Sequence, residues 1–371
     1  MSSELIPVTL LTGFLGSGKT TVLNHLVRQP ELADALVIIN EFGQMPLDHR
    51  LVAHSTENLV MEMSSGCLCC TVRGDLVKTL RDIVWRFSRN GQRQFRRVLI
   101  ETTGLADPAP IVHTLMTHPQ VASRYRLDGI VTTLDLATGE QALNKHPEAV
   151  RQAAIADCLL LTKADLVDDD ARHALLRRLD GINPAAPRWE ARHGDIAASK
   201  VLDLGLFSTD GKSPDVERWL REEAYTGNAH EHAHEHHGTD GQNDGHGAHG
   251  DHDHGHHHDV NRHDDHIRAF CFSIDLPMRE EIFSAWMEVP LGFVGSNILR
   301  IKGILNIEGS AGPVAIHGVQ HIFHPPTTLP AWPDDDRRSR LVFITQDVGR
   351  QVIEETFKAL DGHLPQPWEA T

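Results

Sequence analysis

The chain has 371 residues with 51 Asp and Glu against 35 Lys and Arg, a formal net charge of −16. That length supports about two or three domains and excludes a single small module, while the acidic balance argues against nucleic acid and anionic membrane surfaces as partners. No basic segment follows Met1, and no apolar run approaches the ~20 residues of a membrane span, so a soluble cytoplasmic protein is expected.

The apolar run 6–11 reads as a buried strand. It leads into Gly13, Phe14, Leu15, Gly16, Ser17, Gly18, Lys19, Thr20 and Thr21, and the amphipathic stretch 20–28 follows. Strand, Gly-rich loop and helix in this order form a phosphate-binding loop. The glycines let successive backbone N–H groups converge on an anion, Lys19 reaches the β- and γ-phosphates, and the Thr20 hydroxyl is placed for Mg²⁺. A nucleoside triphosphate site is therefore predicted.

A second buried strand is expected over 35–40. Asp48, in the segment beyond it, reads either as a Mg²⁺-side carboxylate or as a solvated loop residue. The stretch 58–63 precedes Cys67, Cys69 and Cys70, which stand just before a predicted helix over 71–87. Three thiols at C-x-C-C spacing around a turn point in different directions and cannot all pack into a core. A helix N-terminus lowers their pKa, which suits a soft or borderline metal; redox sensing is the alternative. Cys158 and Cys271 stand alone in apolar runs.

The strand 97–101 ends in Glu101, with Gly104 three residues on. That spacing suits a carboxylate facing Mg²⁺ or its water and a glycine N–H facing the γ-phosphate. Further strands are expected over 128–135 and 157–161, the latter running into Thr162-Lys163-Ala164-Asp165. In such a motif the Asp accepts from guanine N1 and N2 while the Lys stem lies along the base. Adenine offers no donors at those positions. A helix over 168–179, a strand over 187–190 and a helix over 214–224 complete this part.

Composition then changes abruptly. Residues 229–266 hold 14 of the 26 histidines and nine Asp or Glu against one Arg. Such a tract cannot bury a core, and its histidines suit labile binding of Zn²⁺, Ni²⁺ or Co²⁺. Order resumes with alternation of Phe270, Phe272, Ile274 and Leu276 against Cys271, Ser273 and Asp275. Helices over 278–288 and 348–360, with strands over 298–305, 314–323 and 341–345, predict a small β-α-β-β-β-α unit with one polar sheet face. His317 and His321 are read as solvated residues on one face of one strand.

The combination of GFLGSGKTT, GCLCC, ETTGLADP and TKAD with a His-rich tract and a small C-terminal domain resembles the CobW-type metallochaperone family of P-loop GTPases. The resemblance implies an α/β fold, a mostly parallel-sheet GTPase domain with a smaller C-terminal α+β domain, divided here as 1–225, a His-rich insert 226–265, and 266–362. It implies GTP hydrolysis with Mg²⁺, coupled to loading Zn²⁺ or delivering it to a client metalloprotein. Phosphates would fall to the loop Gly13 to Thr21 and Gly104, Mg²⁺ to Thr20 and Glu101, guanine to Lys163 and Asp165, and zinc to Cys67, Cys69 and Cys70. His118 stands where some relatives place an accessory ligand. Thr162 replaces the usual Asn of the guanine motif. Two other readings stand beside this one: a GTPase delivering cobalt or nickel, and a metal store with a regulatory nucleotide site.

Overall fold

A computed structural model describes residues 5–39, 59–62, 71–204, 266–320 and 322–363. Asp48, the three cysteines of the C-x-C-C motif, the expected helix over 214–224, the His-rich insert up to residue 265 and His321 lie outside these residues.

The N-terminal part is built on seven strands: β1 (Ile6–Gly13), β2 (Ala35–Ile39), β3 (Leu59–Glu62), β6 (Arg97–Glu101), β7 (Tyr125–Asp135), β8 (Cys158–Thr162) and β9 (Arg188–Ala191). They form one sheet in the order β3-β2-β6-β1-β7-β8-β9, and every pairing is parallel. The strands read as near-continuous apolar runs because both faces are covered. In β1 and β2, Val8, Leu10, Leu36 and Ile38 enter one core, whereas Leu11, Val37 and Ile39 enter the other. Cys158 is fully buried in the second core.

Helix α1 (Lys19–Leu26) sends Val22, Leu23 and Leu26 into that second core. The first core is covered by α2 (Thr71–Arg86), α3 (Ala109–Thr117), α4 (Pro119–Ala122), α5 (Gly139–Lys145), α6 (Pro147–Ala154) and α7 (Asp169–Ile182). Asp168 caps α7 by accepting from Ala171 N at 2.9 Å, which satisfies one of the helix's orphan donors. Helices α5 and α6 were not expected from sequence. Neither was the hairpin of β4 (Ser88–Arg89) and β5 (Gln92–Arg93), which turns at Asn90 and Gly91 with φ of 50° and 73°.

The C-terminal part carries β10 (Ile267–Ile274), α8 (Glu280–Val294), β11 (Ile298–Leu305), β12 (Val314–Val319), β13 (Ile322–Phe323), β14 (Thr327–Thr328), β15 (Ser339–Gln346) and α9 (Arg350–His363). Its sheet is antiparallel, in the order β10-β15-β11-β12-β13, with β14 on β12. Phe270, Phe272, Trp286, Phe343 and Ile353 form its core between sheet and helices.

Three expectations fail here. Leu276 lies beyond the end of β10 and is 75% exposed, so the alternation stops at Ile274. The stretch 314–323 is not one strand, because Gln320 takes a φ of 54° and Val319 pairs with Ile322 across a tight turn. His317 is not solvated; it is 4% exposed. The second sheet face is not free, because Leu299, Val319, Ile322 and Ile344 continue the N-terminal core. Where that face crosses α6 and β8 it is polar but buried. Arg300 donates to Ile155 O and pairs with Asp157, which also meets Lys302 Nζ at 2.5 Å, and Arg300 Nη2 lies 2.9 Å from His317 Nε2. Burial disfavours the Asp157 carboxylate, but the Arg300 and Lys302 cations outweigh that and hold its pKa well below the usual range. Burial, reinforced by Arg300, holds the His317 ring neutral.

Candidate nucleotide site

The functional residues gather at the C-terminal ends of the parallel strands. In an open α/β sheet that is where loops converge to bind a ligand. β1 ends at Gly13 (φ 141°), where a Cβ would sit 2.3 Å from Thr133 Oγ1, so only glycine lets the phosphate loop pass this close to β7. Ser17 Oγ and Thr133 Oγ1 are 2.6 Å apart, which ties the loop to β7 a second time. The loop opens α1 through Gly18 in the left-handed conformation (φ 89°).

Lys19 is 9% exposed and donates from Nζ to Gly13 O at 2.9 Å and Phe14 O at 3.1 Å. Thr20 Oγ1 donates to Glu101 Oε1 at 2.8 Å across 81 residues of sequence. A hydroxyl and a carboxylate already in contact beside a phosphate loop are a fitting donor set for Mg²⁺, a hard cation that takes oxygen ligands. Leu15, Gly16, Gly18, Lys19, Thr20, Thr21, Ile39, Glu101, Thr102, Thr103 and Gly104 line a cleft of about 300 Å³. Gly104 is held against the loop so closely that a Cβ there would meet Leu15 N at 2.7 Å.

The second group stands at the end of β8. Thr162 Oγ1 donates to Ser17 O at 2.8 Å, so the residue in the place of the usual Asn still fastens this motif to the phosphate loop. Lys163 takes a left-handed φ of 57°, and its Nζ donates to Asp135 Oδ2 at 2.6 Å. Burial would raise the Asp135 pKa, but hydrogen bonds from Lys163, Thr138 and Ala137 N outweigh it and keep the carboxyl below its usual range. Asp165 is exposed in a short 3₁₀ turn (Ala164–Leu166).

Sequence reasoning missed Asp135, Thr133 and Thr162 as the residues that brace the site. A signal for Asp135 was present, since an Asp at a strand end with Thr three residues on suits a side chain that caps its own turn, and Asp135 does bind Ala137 N and Thr138 Oγ1. His118 sits between α3 and α4, half-buried, with no hydrogen-bond partner for Nδ1 among the described residues. Among those residues no three His, Cys, Asp or Glu side chains gather to hold a metal, and no helix is long and apolar enough to cross a membrane.

A parallel sheet whose first strand feeds a G-x-x-x-x-G-K-T loop, with a strand-end carboxylate on the Thr hydroxyl, defines a P-loop nucleotide-binding protein. Residues 7–190 match the CobW/HypB/UreG nucleotide-binding domain, and residues 267–361 match the CobW C-terminal domain. The zinc chaperone YjiA of Escherichia coli is 33% identical over 355 residues, spanning 95% of this chain and 97% of that protein. The zinc chaperone CobW of Pseudomonas aeruginosa is 30% identical, spanning 94% of this chain and 89% of that protein. The crystal structure of zinc-bound YjiA GTPase from E. coli matches with a TM-score of 0.65 at 27% identity, over 96% of this chain and 99% of that one. The chain belongs to the CobW family.

Proposed function

We propose that this protein is a GTP-hydrolysing zinc metallochaperone that couples its nucleotide cycle to loading Zn²⁺ and passing it to a client metalloprotein. The observation that carries the nucleotide half is the contact of Thr20 with Glu101 at the mouth of the Lys19 loop. The zinc half is supported by likeness over nearly the whole chain to proteins named zinc chaperones. We divide the chain as a GTPase domain 1–225, a His-rich insert 226–265 and a C-terminal domain 266–362.

The backbone of Gly13, Phe14, Leu15, Gly16, Ser17, Gly18, Thr20 and Thr21 cradles the phosphates. Lys19 exchanges its two loop carbonyls for the β- and γ-phosphate oxygens, which places a positive charge where negative charge develops during transfer. Thr20 and Glu101, with Asp48 as a further carboxylate, would hold Mg²⁺, which there would neutralise charge on the transferring phosphoryl group. Gly104 reads the γ-phosphate, and Lys163 and Asp165 take the guanine base. Asp165 is exposed, so the bound base must itself exclude water from that carboxylate. Cys67, Cys69 and Cys70 hold Zn²⁺ as cargo, and three sulfurs leave one tetrahedral position, which His118 fills as an accessory ligand until a client group displaces it at handover. No arginine finger is evident among these motifs, so slow intrinsic turnover is expected, with a client supplying the missing group.

The test is to follow phosphate release and zinc transfer together, using the zinc-loaded full chain and a metal-free zinc protein as acceptor. GTP is expected to drive transfer and Lys19→Ala to abolish hydrolysis. Hydrolysis unchanged in Lys19→Ala would remove the phosphate loop as the active site, and transfer indifferent to GTP would favour metal storage.

A further inference from the structure

Helix α6 touches three separate parts of the molecule. At its N-terminal cap, the His146 ring stacks on Phe14 of the phosphate loop, 4.5 Å between centroids and 26° between planes. In its middle, the fully buried Gln152 donates from Nε2 to Gly104 O at 3.2 Å and Ala106 O at 3.0 Å. Just past its last turn, Ile155 O accepts from Arg300 of β11, whose guanidinium also pairs with Asp157. One short helix thus joins the phosphate loop, the loop that follows Glu101 and the C-terminal sheet.

The Gln152 amide has a defined orientation. Both atoms it faces are carbonyl oxygens, which only accept, so the nitrogen must point at them. Its Oε1 is then left with no hydrogen-bond partner among the described residues. A buried amide with an unsatisfied acceptor is a costly way to hold a helix in place, so what the amide contributes is its two donors to the Gly104 and Ala106 carbonyls. Thr103 and Gly104 line the nucleotide cleft, and Gly104 lies against Leu15. Within this loop Thr102 N donates to Leu11 O and Ala106 N to Thr103 O, and Gln152 takes the Gly104 and Ala106 carbonyls, which leaves the N–H groups of Thr103 and Gly104 outside these bonds.

We propose that Gln152 is a positioning residue for the terminal phosphate, fixing the Gly104 loop in the arrangement that discriminates GTP from GDP. Helix α6, held at its far end by Arg300, carries the docking of the C-terminal domain into that discrimination. This inference rests on the GTPase reading. It adds a residue outside the recognised motifs and gives the C-terminal domain a part in nucleotide sensing.

The experiment measures affinities of the full chain for fluorescent GDP and a non-hydrolysable GTP analogue, with kcat and thermal midpoint alongside. Gln152→Met keeps the shape and removes the two donors. It is expected to weaken the analogue roughly five- to tenfold, the scale of one or two lost hydrogen bonds, while GDP stays within about twofold; the midpoint falls modestly, because the Gly104 and Ala106 carbonyls lose their donor in every nucleotide state. Equal weakening of both nucleotides, or of neither, would overturn the assignment.

The double variant Arg300→Met with Asp157→Asn removes a guanidinium together with the carboxylate it neutralises. It is expected to lower the ratio of analogue to GDP affinity while Gln152 is intact, and an unchanged ratio would overturn the part given to the C-terminal domain. Should either variant fail to fold, hydrogen exchange in the unaltered chain decides the matter. The analogue, and not GDP, should slow exchange in both 102–107 and 150–157, and slowing confined to the first segment contradicts the coupling. An unaltered chain that binds the analogue no better than an unrelated nucleotide would instead overturn the GTPase reading, and this inference with it.

Discussion

Thr162 and Ser17 stand 145 residues apart in the chain, yet the Thr162 hydroxyl donates to Ser17 O at 2.8 Å inside the protein. Through this bond the strand that presents Lys163 and Asp165 is fastened to the loop that presents Lys19. Thr162→Val keeps the shape and leaves a buried carbonyl without its donor, at about 1–3 kcal/mol. Thermal or urea unfolding is expected to show that loss, and affinities for GDP and GTP should fall together, because the bond braces the loop and does not touch the γ-phosphate. A selective loss of GTP binding would contradict the bracing role.

Asp165 is the only group in its motif whose chemistry distinguishes guanine from adenine. Asp165→Ala should lower GTP affinity by a factor of ten or more while barely changing ATP, since a lost charged hydrogen-bond pair is worth about 1.5–3 kcal/mol. Competition titration with both nucleotides checks this. Equal affinity for GTP and ATP in the unaltered protein would remove the guanine assignment and leave the phosphate loop standing.

The buried His317 and the half-buried His324, with ring centroids 5.3 Å apart, make the domain junction sensitive to acid. The charged groups facing them are Asp157, Arg300 and Lys302. Burial, aided by Arg300, lowers the His324 pKa to about 4, and His317 is lowered well below 6.5. Between about pH 6.5 and pH 4 the unfolded chain therefore binds protons that the folded chain refuses. Stability is fully present above that window and is lost as pH falls through it, by up to about 1.4 kcal/mol per pH unit for each such histidine. Urea midpoints measured from pH 7 to pH 4.5 should fall, and His324→Gln should flatten the curve. An unchanged slope in that variant would assign the acid sensitivity elsewhere.

How far the sequence could be read follows from where each signal resides. The phosphate loop, Glu101 and the strand into Thr162 are local patterns, and the apolar runs of β1, β2, β6 and β8 survive as buried strands because both sheet faces are covered. Helices α5 and α6 escaped because they have only 7 and 8 residues, too few for a 3.6-residue period to stand out. Asn90-Gly91 carried a hairpin signal that went unread. His317 was misjudged for another reason. Alternation reports which side of a strand a residue faces, but not whether a second domain covers that side, and here the N-terminal domain supplies Asp157 and Ile155 O to a face that reads as polar. Gln152 carries no motif, and its partners Gly104 and Ala106 lie more than forty residues earlier, so only the folded chain brings them together.

Nucleotide and zinc are expected to bind as coupled events. In the chain, Cys67, Cys69 and Cys70 fall between α1 and β6, the elements that carry Lys19 and Glu101. If GTP orders this stretch for metal, linkage requires zinc to strengthen GTP binding by the same factor that GTP strengthens zinc, typically 5- to 150-fold. The direct measurement is zinc affinity of the full chain, in a competing chelator buffer, without nucleotide, with GDP and with a non-hydrolysable GTP analogue with Mg²⁺. Binding should be tightest with the analogue and weaker with GDP, and the difference should vanish when all three cysteines are replaced by serine while the analogue itself still binds. The same zinc affinity in all three nucleotide states would contradict the coupling.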